Sequence, residues 1–158
     1  MIEQAILGVL PPPKNIPYLS LIIWINNLNE KYMKALVIIA HGSRKEESNH
    51  EIEYLTNEVR NLVKKEFEIV EYSFLEMAKP LLIDAIENVI LKEASEITIF
   101  PYFLNSGVHI KNDIPHIVEK MRLKHPGCKF KLSLPIGAYK GMAEIIQKQL
   151  KSKQIDPL

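Results

Sequence analysis

Two histidines and one glutamate stand in this sequence where strands of a buried sheet are expected to end. His41 directly follows the apolar run 35–40, and Glu76 and His109 follow two later strand-like segments. Neutral imidazoles and a carboxylate are suitable ligands for borderline divalent ions such as cobalt, nickel, iron and zinc. These residue types therefore predict a transient divalent metal site, provided that the fold brings them together.

The elements that would position these residues alternate along the chain. An uninterrupted apolar run such as 35–40 is typical of a parallel strand buried on both faces. Pro101 is expected near the end of a strand, because proline cannot donate to the ladder. The further predicted strands are 67–75, 97–104 and 130–134. The helices predicted from apolar residues at helical spacing are 48–66, 80–93, 113–124 and 141–150.

Short connections between these elements predict right-handed crossovers and a parallel sheet with helices on both faces. The expected fold is α/β, a single flavodoxin-like lobe with four strands in the order 2-1-3-4. Ligands of such sheets bind beyond the carboxyl ends of the strands, and neighbouring strands lie about 5 Å apart. Strand order alone therefore predicts that His41, Glu76 and His109 meet at one edge.

The helix ends carry more specific expectations. Ser48 with Glu51 three residues later matches a capping box, and Asp113 is expected to cap the third helix. The last helix is expected to turn one apolar stripe towards the core. The members of that stripe are Met142, Ile145, Ile146 and Leu150.

Cations cluster after the same strands and predict an anionic ligand. Arg44 follows the His-Gly-Ser turn, and a guanidinium donates in pairs to carboxylate or phosphate. The candidate substrate-binding residues are Ser43, Arg44, Lys45, Lys79 and Lys111. The phosphate-cradling and dinucleotide glycine motifs are absent from the sequence. A Ser43–His41 nucleophile pair is a weaker alternative, because no GxSxG elbow surrounds the serine.

Composition excludes several classes of function. Twenty Lys and Arg against nineteen Asp and Glu leave a net charge of +1, which does not fit sequence-independent nucleic-acid binding. The single cysteine, Cys128, cannot form an intramolecular disulfide or a thiolate cluster, which fits a reducing cytoplasm. The apolar segment 16–25 is too short for a membrane span, since crossing a bilayer takes roughly twenty residues.

The chain is expected to consist of an extension, one domain and a tail. Residues 1–32 either cover an apolar surface or precede a true start at Met33, and the second interpretation is preferred because Met33 directly precedes the first strand. Residues 33–152 would form the α/β domain, and residues 153–158 a frayed tail.

Four motifs in fixed order resemble the small CbiX-type sirohydrochlorin chelatases. They are HGSR at 41–44, FLEMAKP at 74–80, FLNSGVH at 103–109 followed by DIP at 113–115, and LPIG at 134–137. The resemblance runs from about Met33 to Leu150 and does not include the N-terminal residues.

The resemblance implies an ATP-independent, class II chelatase that inserts Co²⁺ into sirohydrochlorin on the way to cobalamin. It implies that His41 and His109 hold the ion, that Glu76 or an imidazole accepts pyrrole protons, and that the substrate carboxylates meet the cations. The divalent metal is then a substrate, and no permanently bound cofactor is expected. Because the family places two lobes around a cleft, a one-lobe chain is expected to form a homodimer.

Three alternatives remain open from the sequence. Iron or nickel could replace cobalt, because ligand type alone does not select among these ions. A histidine phosphatase is disfavoured, since such enzymes carry arginine before the His-Gly pair and Ala40 stands there. The third alternative is a non-catalytic module that carries a tetrapyrrole or a metal ion.

Overall fold

The structure, a computed structural model, describes residues 32–105, Gly107 and residues 109–152, together with Pro17 and Ser20. For residues 109 and 110 it describes the backbone alone. Contacts divide the chain into two units, 1–31 and 32–158. The predicted start at Met33 is not tested, and nearly all of the predicted extension 1–32 and all of the tail 153–158 lie outside the described residues.

Strands and helices alternate through the second unit. The strands are β1 (Met33–Ala40), β2 (Ile69–Phe74), β3 (Ala94–Pro101) and β4 (Lys129–Leu132). The α-helices are α1 (Glu46–Val63), α2 (Leu82–Leu91), α3 (Ile114–Lys124) and α4 (Met142–Leu150). A π-helical turn, His109–Asp113, leads into α3, and a 3₁₀ turn, Ile136–Ala138, precedes α4. None of the helices in the described part is both long and apolar enough to cross a membrane.

The four strands form one parallel sheet in the order β2-β1-β3-β4, as predicted. Ala40, the last residue of β1, pairs with Phe74 of β2, and Ile39 pairs with Pro101 of β3. Pro101 is the last residue of its strand, which confirms the expectation that proline marks the strand end. The ends of β1, β2 and β3 are therefore level at the carboxyl edge of the sheet.

The apolar residues of β1 alternate between two cores, which explains why the whole strand is apolar. Ala35, Val37 and Ile39 lie in a large cluster with residues of α2 and α3. Leu36 and Ile38 face the opposite side, where Val59 and Val63 of α1 pack against them. Helices therefore cover both faces of the sheet, as the sequence predicted.

Both predicted helix caps are wrong. The helix α1 begins at Glu46, so Ser48 lies inside it, and the residue before it, Lys45, makes no side-chain cap. Asp113 precedes α3 without a capping hydrogen bond from its side chain. Its φ of −71° and ψ of −48° are helical, because the π-helical turn already leads into α3. A capping residue instead requires a non-helical backbone.

The prediction that the apolar stripe of α4 points into the core is also wrong. No residue of this helix is buried. The exposed fractions are 48% for Ile145, 55% for Ile146 and 65% for Leu150. Apolar spacing predicts that a helix has such a stripe, but it does not say that the same folded unit supplies a surface to cover it.

Candidate functional site

The predicted site lies in the three loops that follow β1, β2 and β3, here called the rim. Hydrogen bonding between β1 and β2 continues past both strands into these loops. Leu75 N–H donates to the carbonyl of Ala40 at 2.9 Å, and Glu76 N–H donates to the carbonyl of His41 at 3.1 Å. Backbone pairing therefore fixes Glu76 beside His41.

His41 and Glu76 also meet through their side chains. Nε2 of His41 lies 3.4 Å from Oε1 of Glu76, and the two side chains are 43% and 48% exposed. Nδ1 of His41 lies 3.3 Å from the carbonyl oxygen of Gly42. Because both neighbouring oxygens are acceptors, the metal-free ring can donate a proton from Nδ1 to the carbonyl or from Nε2 to the carboxylate. A cation that replaces the proton on Nε2 leaves Nδ1–H to donate to the carbonyl. Nε2 of His41 and Oε1 of Glu76 can thus bind one cation between them or share one proton.

Gly42 makes the close approach of the first two loops possible. Its φ is +92°, and a Cβ built on it would lie 2.0 Å from the carbonyl oxygen of Glu76. Only glycine fits here, because it has no Cβ to meet this carbonyl and adopts a positive φ without steric strain. The glycine of the HGSR motif therefore sets the distance between His41 and Glu76.

A tight turn follows Glu76. Ala78 N–H donates to the carbonyl of Glu76 at 2.8 Å, which closes a γ-turn around Met77. Met77 has a φ of +64°, a region that side-chain-bearing residues rarely occupy and that costs of order 1–3 kcal/mol. Such strained residues persist only where the surroundings fix them, so this turn holds Glu76 in place.

The third loop reaches His41 through Phe103. The two rings meet edge to face, with centroids 6.5 Å apart and an interplanar angle of 66°. The backbone of His109 begins the π-helical turn in the same loop, but its side chain is not described. The role of His109 as a second imidazole ligand therefore stays a prediction.

Three of the five predicted substrate-binding residues line one cavity. Ser43, Arg44 and Lys79 border a space of about 330 Å³ between the loops after β1 and β2. His41 and Glu76 are not among its lining residues, so the cavity lies beside this pair and does not enclose it. The structure thus separates a candidate metal position from a candidate substrate position.

Lys45 and Lys111 do not line this cavity. Lys45 is exposed, and its N–H donates to Oγ of Ser43 at 3.0 Å. Lys111 is exposed in the π-helical turn that follows β3, on the other side of β1 from the cavity. Of the four cations predicted to bind the substrate, only Arg44 and Lys79 therefore line this cavity.

The two cations in the cavity differ in their partners. Nζ of Lys79 lies 3.1 Å from Oδ2 of Asp84, and this hydrogen bond, followed by one from Leu81 N–H, lowers the pKa of Asp84. Within the described residues, Arg44 has no ion pair. Arg44 is thus the better candidate for an incoming carboxylate.

Acidic and phenolic groups balance this charge. Glu46 and Glu53 also line the cavity, as does Tyr72. Burial raises the pKa of the Tyr72 phenol, and the negative charges of Glu53 and Glu71 add to this rise. The cavity therefore carries both positive and negative groups, and Arg44 is the candidate for recognising an anion there.

No group of three His, Cys, Asp or Glu side chains forms a metal site within the part of the chain whose side chains are described. Of the three predicted ligands, the structure brings together the described side chains of His41 and Glu76, which makes two ligand atoms available. An ion held this way keeps open coordination positions, which suits transfer to another ligand set better than permanent storage.

The family model of CbiX matches residues 35–153. The chain belongs to the CbiX family. A sirohydrochlorin cobaltochelatase of Sulfurisphaera tokodaii is 30% identical over 119 residues, which cover 75% of this chain and 92% of that protein. The sirohydrochlorin ferrochelatase of Priestia megaterium is 29% identical over 126 residues, which cover 79% and 46% of the two chains.

A solved structure shows the same fold. The sirohydrochlorin chelatase SirB from Bacillus subtilis, in complex with cobalt, superimposes with a TM-score of 0.68 at 24% identity, over 75% of this chain and 50% of that one. This CbiX chain thus spans nearly all of the S. tokodaii relative and about half of the P. megaterium ferrochelatase and of SirB.

The LPIG motif of this CbiX chain also reaches the rim. Gly137 N–H donates to the carbonyl of Phe103 at 3.0 Å. A Cβ on Gly137 would lie 1.9 Å from the carbonyl oxygen of Leu104. The segment before α4 is therefore packed against the loop that carries Phe103 and, further on, His109.

Sequence reasoning gave no role to three residues that shape the rim, namely Gly42, Asn49 and Phe103. Gly42 and Phe103 stand inside the quoted motifs, so the motifs marked their position but not their contacts. Asn49 lies outside the motifs, within α1, and nothing in its spacing indicates that it contacts the loop after β1.

Proposed function

We propose that this protein is a sirohydrochlorin chelatase that inserts a divalent ion, Co²⁺ in the first instance, into sirohydrochlorin without ATP. Membership of the CbiX family supports the reaction. The cobaltochelatase of S. tokodaii, nearly all of which this chain spans, supports cobalt as the metal. The ferrochelatase of P. megaterium supports iron as the alternative metal.

The observation that carries the proposal is the pairing of His41 with Glu76 at 3.4 Å on the exposed rim. His41, together with His109, holds the incoming ion through neutral imidazole nitrogens. Insertion exchanges two pyrrole protons for one divalent ion, so the site has to accept protons as the ion leaves its protein ligands. Glu76, beside Nε2 of His41, is the proposed acceptor of one proton, and an imidazole that the ion has left accepts the other.

The reaction and the metal are tested together in one anaerobic experiment. The protein is incubated with sirohydrochlorin and Co²⁺, Ni²⁺ or Fe²⁺ in parallel, and the absorbance change of the macrocycle is followed. The expected result is a rate above the protein-free background, with the largest increase for Co²⁺. Faster insertion of Fe²⁺ or Ni²⁺ would retain the reaction and replace the proposed metal.

Tight metal binding without any increase over background would contradict the chelatase and indicate a carrier. Release of phosphate from a general phosphoester would instead indicate the phosphatase. Both assays use the protein preparation that is used for the insertion assay.

We propose that Arg44 binds a substrate carboxylate, with Ser43, Lys45, Lys79 and Lys111 in supporting roles. Hydrogen bonds to charged groups contribute about 1.5–3 kcal/mol, so the Arg44→Ala variant should raise the KM for sirohydrochlorin by roughly 10-fold or more. Its Kd for Co²⁺, measured by calorimetry, should stay within about 2-fold of the original value. Arg44→Lys should recover only part of the loss, because an ammonium does not donate as a planar pair.

Arg122→Ala is the matched control for Arg44→Ala. Arg122 is an exposed arginine of α3 that pairs with Glu119. Its removal changes the net charge equally but leaves the rim intact. An equal rise in KM for both variants would show that Arg44 contributes only its positive charge and makes no specific contact with the substrate.

We also propose that the protein works in the cytoplasm as a homodimer, with two copies forming the cleft. The chain spans about half of the P. megaterium ferrochelatase, which fits one lobe of a longer two-lobe protein. The free thiol of Cys128 fits a reducing compartment. Sedimentation equilibrium measures the oligomeric state directly, and a monomer at assay concentration would contradict the dimer.

A further inference from the structure

One peptide group links the metal-binding histidine to the first turn of α1. The carbonyl end of the Gly42–Ser43 peptide lies 3.3 Å from Nδ1 of His41. The N–H end of the same peptide donates to Oδ1 of Asn49 at 3.0 Å. Because the peptide is planar and rigid, a group that fixes one end also fixes the direction of the other.

Asn49 holds Ser43 on both of its backbone groups. Besides accepting from Ser43 N–H, it donates from Nδ2 to the carbonyl of Ser43 at 2.8 Å. This pairing also defines which end of the amide is oxygen, since an N–H has to meet an acceptor and a carbonyl has to meet a donor. Asn49 is partly buried on α1, so it ties the loop to a long, regular helix.

We infer that Asn49 is a positioning residue for His41, acting through the Gly42–Ser43 peptide. With this peptide held, its carbonyl faces Nδ1 and accepts the Nδ1 proton when Nε2 binds the metal ion, which orients the ring. Residues that orient a metal-binding histidine in this indirect way change metal affinity about 10- to 100-fold when they are lost. The inference rests on the proposed role of His41 in metal binding.

The first test uses the protein with Zn²⁺ bound, a diamagnetic replacement for Co²⁺, and does not depend on activity. Side-chain ¹⁵N shifts of the histidines, recorded at a pH where imidazole is neutral, report which ring nitrogen carries the proton. The original protein is expected to show His41 with the proton on Nδ1. Asn49→Leu, which removes both hydrogen bonds, is expected to shift His41 to a mixture of tautomers.

The second test measures Co²⁺ binding by calorimetry. Asn49→Leu is expected to weaken the Kd by about 10-fold or more, as is typical for loss of an orienting residue. Asn49→Asp keeps the acceptor for Ser43 N–H but replaces the donor to the Ser43 carbonyl by an oxygen, so it should retain only part of the affinity. Asn61→Leu is the matched control, because it makes the same substitution at an exposed position of α1 and should change neither quantity.

The outcomes separate this inference from the proposed function. If His41→Ala abolishes Co²⁺ binding while Asn49→Leu leaves both the tautomer and the Kd unchanged, the positioning role is overturned and the chelatase proposal stands. If Asn49→Leu shifts the tautomer but the protein does not metallate sirohydrochlorin, the positioning role stands and the chelatase proposal fails. Equal changes in Asn49→Leu and Asn61→Leu would also overturn the positioning role.

Discussion

Replacing His41 by alanine is expected to reduce Co²⁺ insertion into sirohydrochlorin by more than ~100-fold, close to the uncatalysed background. Loss of a residue that only orients a metal ligand already changes affinity about 10- to 100-fold, and here the proposed ligand itself is removed. Initial rates from macrocycle absorbance measure the effect.

Glu76→Gln, which keeps the shape of the side chain but not its charge, should lower the insertion rate more than it weakens Co²⁺ binding, because Glu76 is the proposed proton acceptor.

His116→Ala is the control for His41→Ala, because His116 is an exposed histidine of α3. It should metallate sirohydrochlorin at the original rate. If His41→Ala also did so, above the spontaneous background, His41 would have no part in the reaction. A matching His109→Ala variant tests the second proposed ligand in the same way.

The second large effect is expected at Gly42. In Gly42→Ala the added Cβ would lie 2.0 Å from the carbonyl oxygen of Glu76, at a φ of +92° that alanine rarely adopts. Backbone strain of this kind costs of order 1–3 kcal/mol, which lowers Tm by roughly 2–12 °C in a domain of this size. The clash is relieved only if the loops after β1 and β2 separate, and a displacement of about 1 Å at a reacting group can reduce the rate ~100-fold.

Gly127→Ala is the matched control for this substitution. Gly127 lies in the turn before β4, and a Cβ there would meet nothing within 4 Å. Thermal melts and insertion assays of the two variants should therefore differ sharply. A Gly42→Ala protein with the original Tm and the original rate would show that the close contact with Glu76 is not required.

The strand order could be derived from the sequence because it follows from a few strong signals. The apolar run 35–40 required a strand buried on both faces, and alternation with helices required parallel crossovers. In the predicted order β1 lies between β2 and β3. Because β1 and β2 end at the same level, the residues that follow them, His41 and Glu76, lie close together. Pro101 was placed correctly for the same kind of reason, since a missing N–H limits where proline fits in a ladder.

The contacts within the rim could not be derived, because they depend on backbone angles that residue types do not fix. Nothing in the sequence states that Asn49 turns its amide towards Ser43, or that Phe103 meets the ring of His41. The capping box at Ser48 failed for this reason, because Ser43 and Asn49 organise the loop and α1 begins earlier. The side-chain position of His109 stays a prediction.

The close approach of Gly137 to Leu104 has a consequence for chain length. The segment before α4 packs against the loop after β3. A Cβ on Gly137 would lie 1.9 Å from the carbonyl oxygen of Leu104, so an inserted residue would have no room there. The turn around Gly127 is open and lies at the opposite end of the sheet, just before β4 begins. Insertions, reporter peptides and circular permutation sites are therefore better tolerated at that end, while the length of the rim loops is set by contact between them.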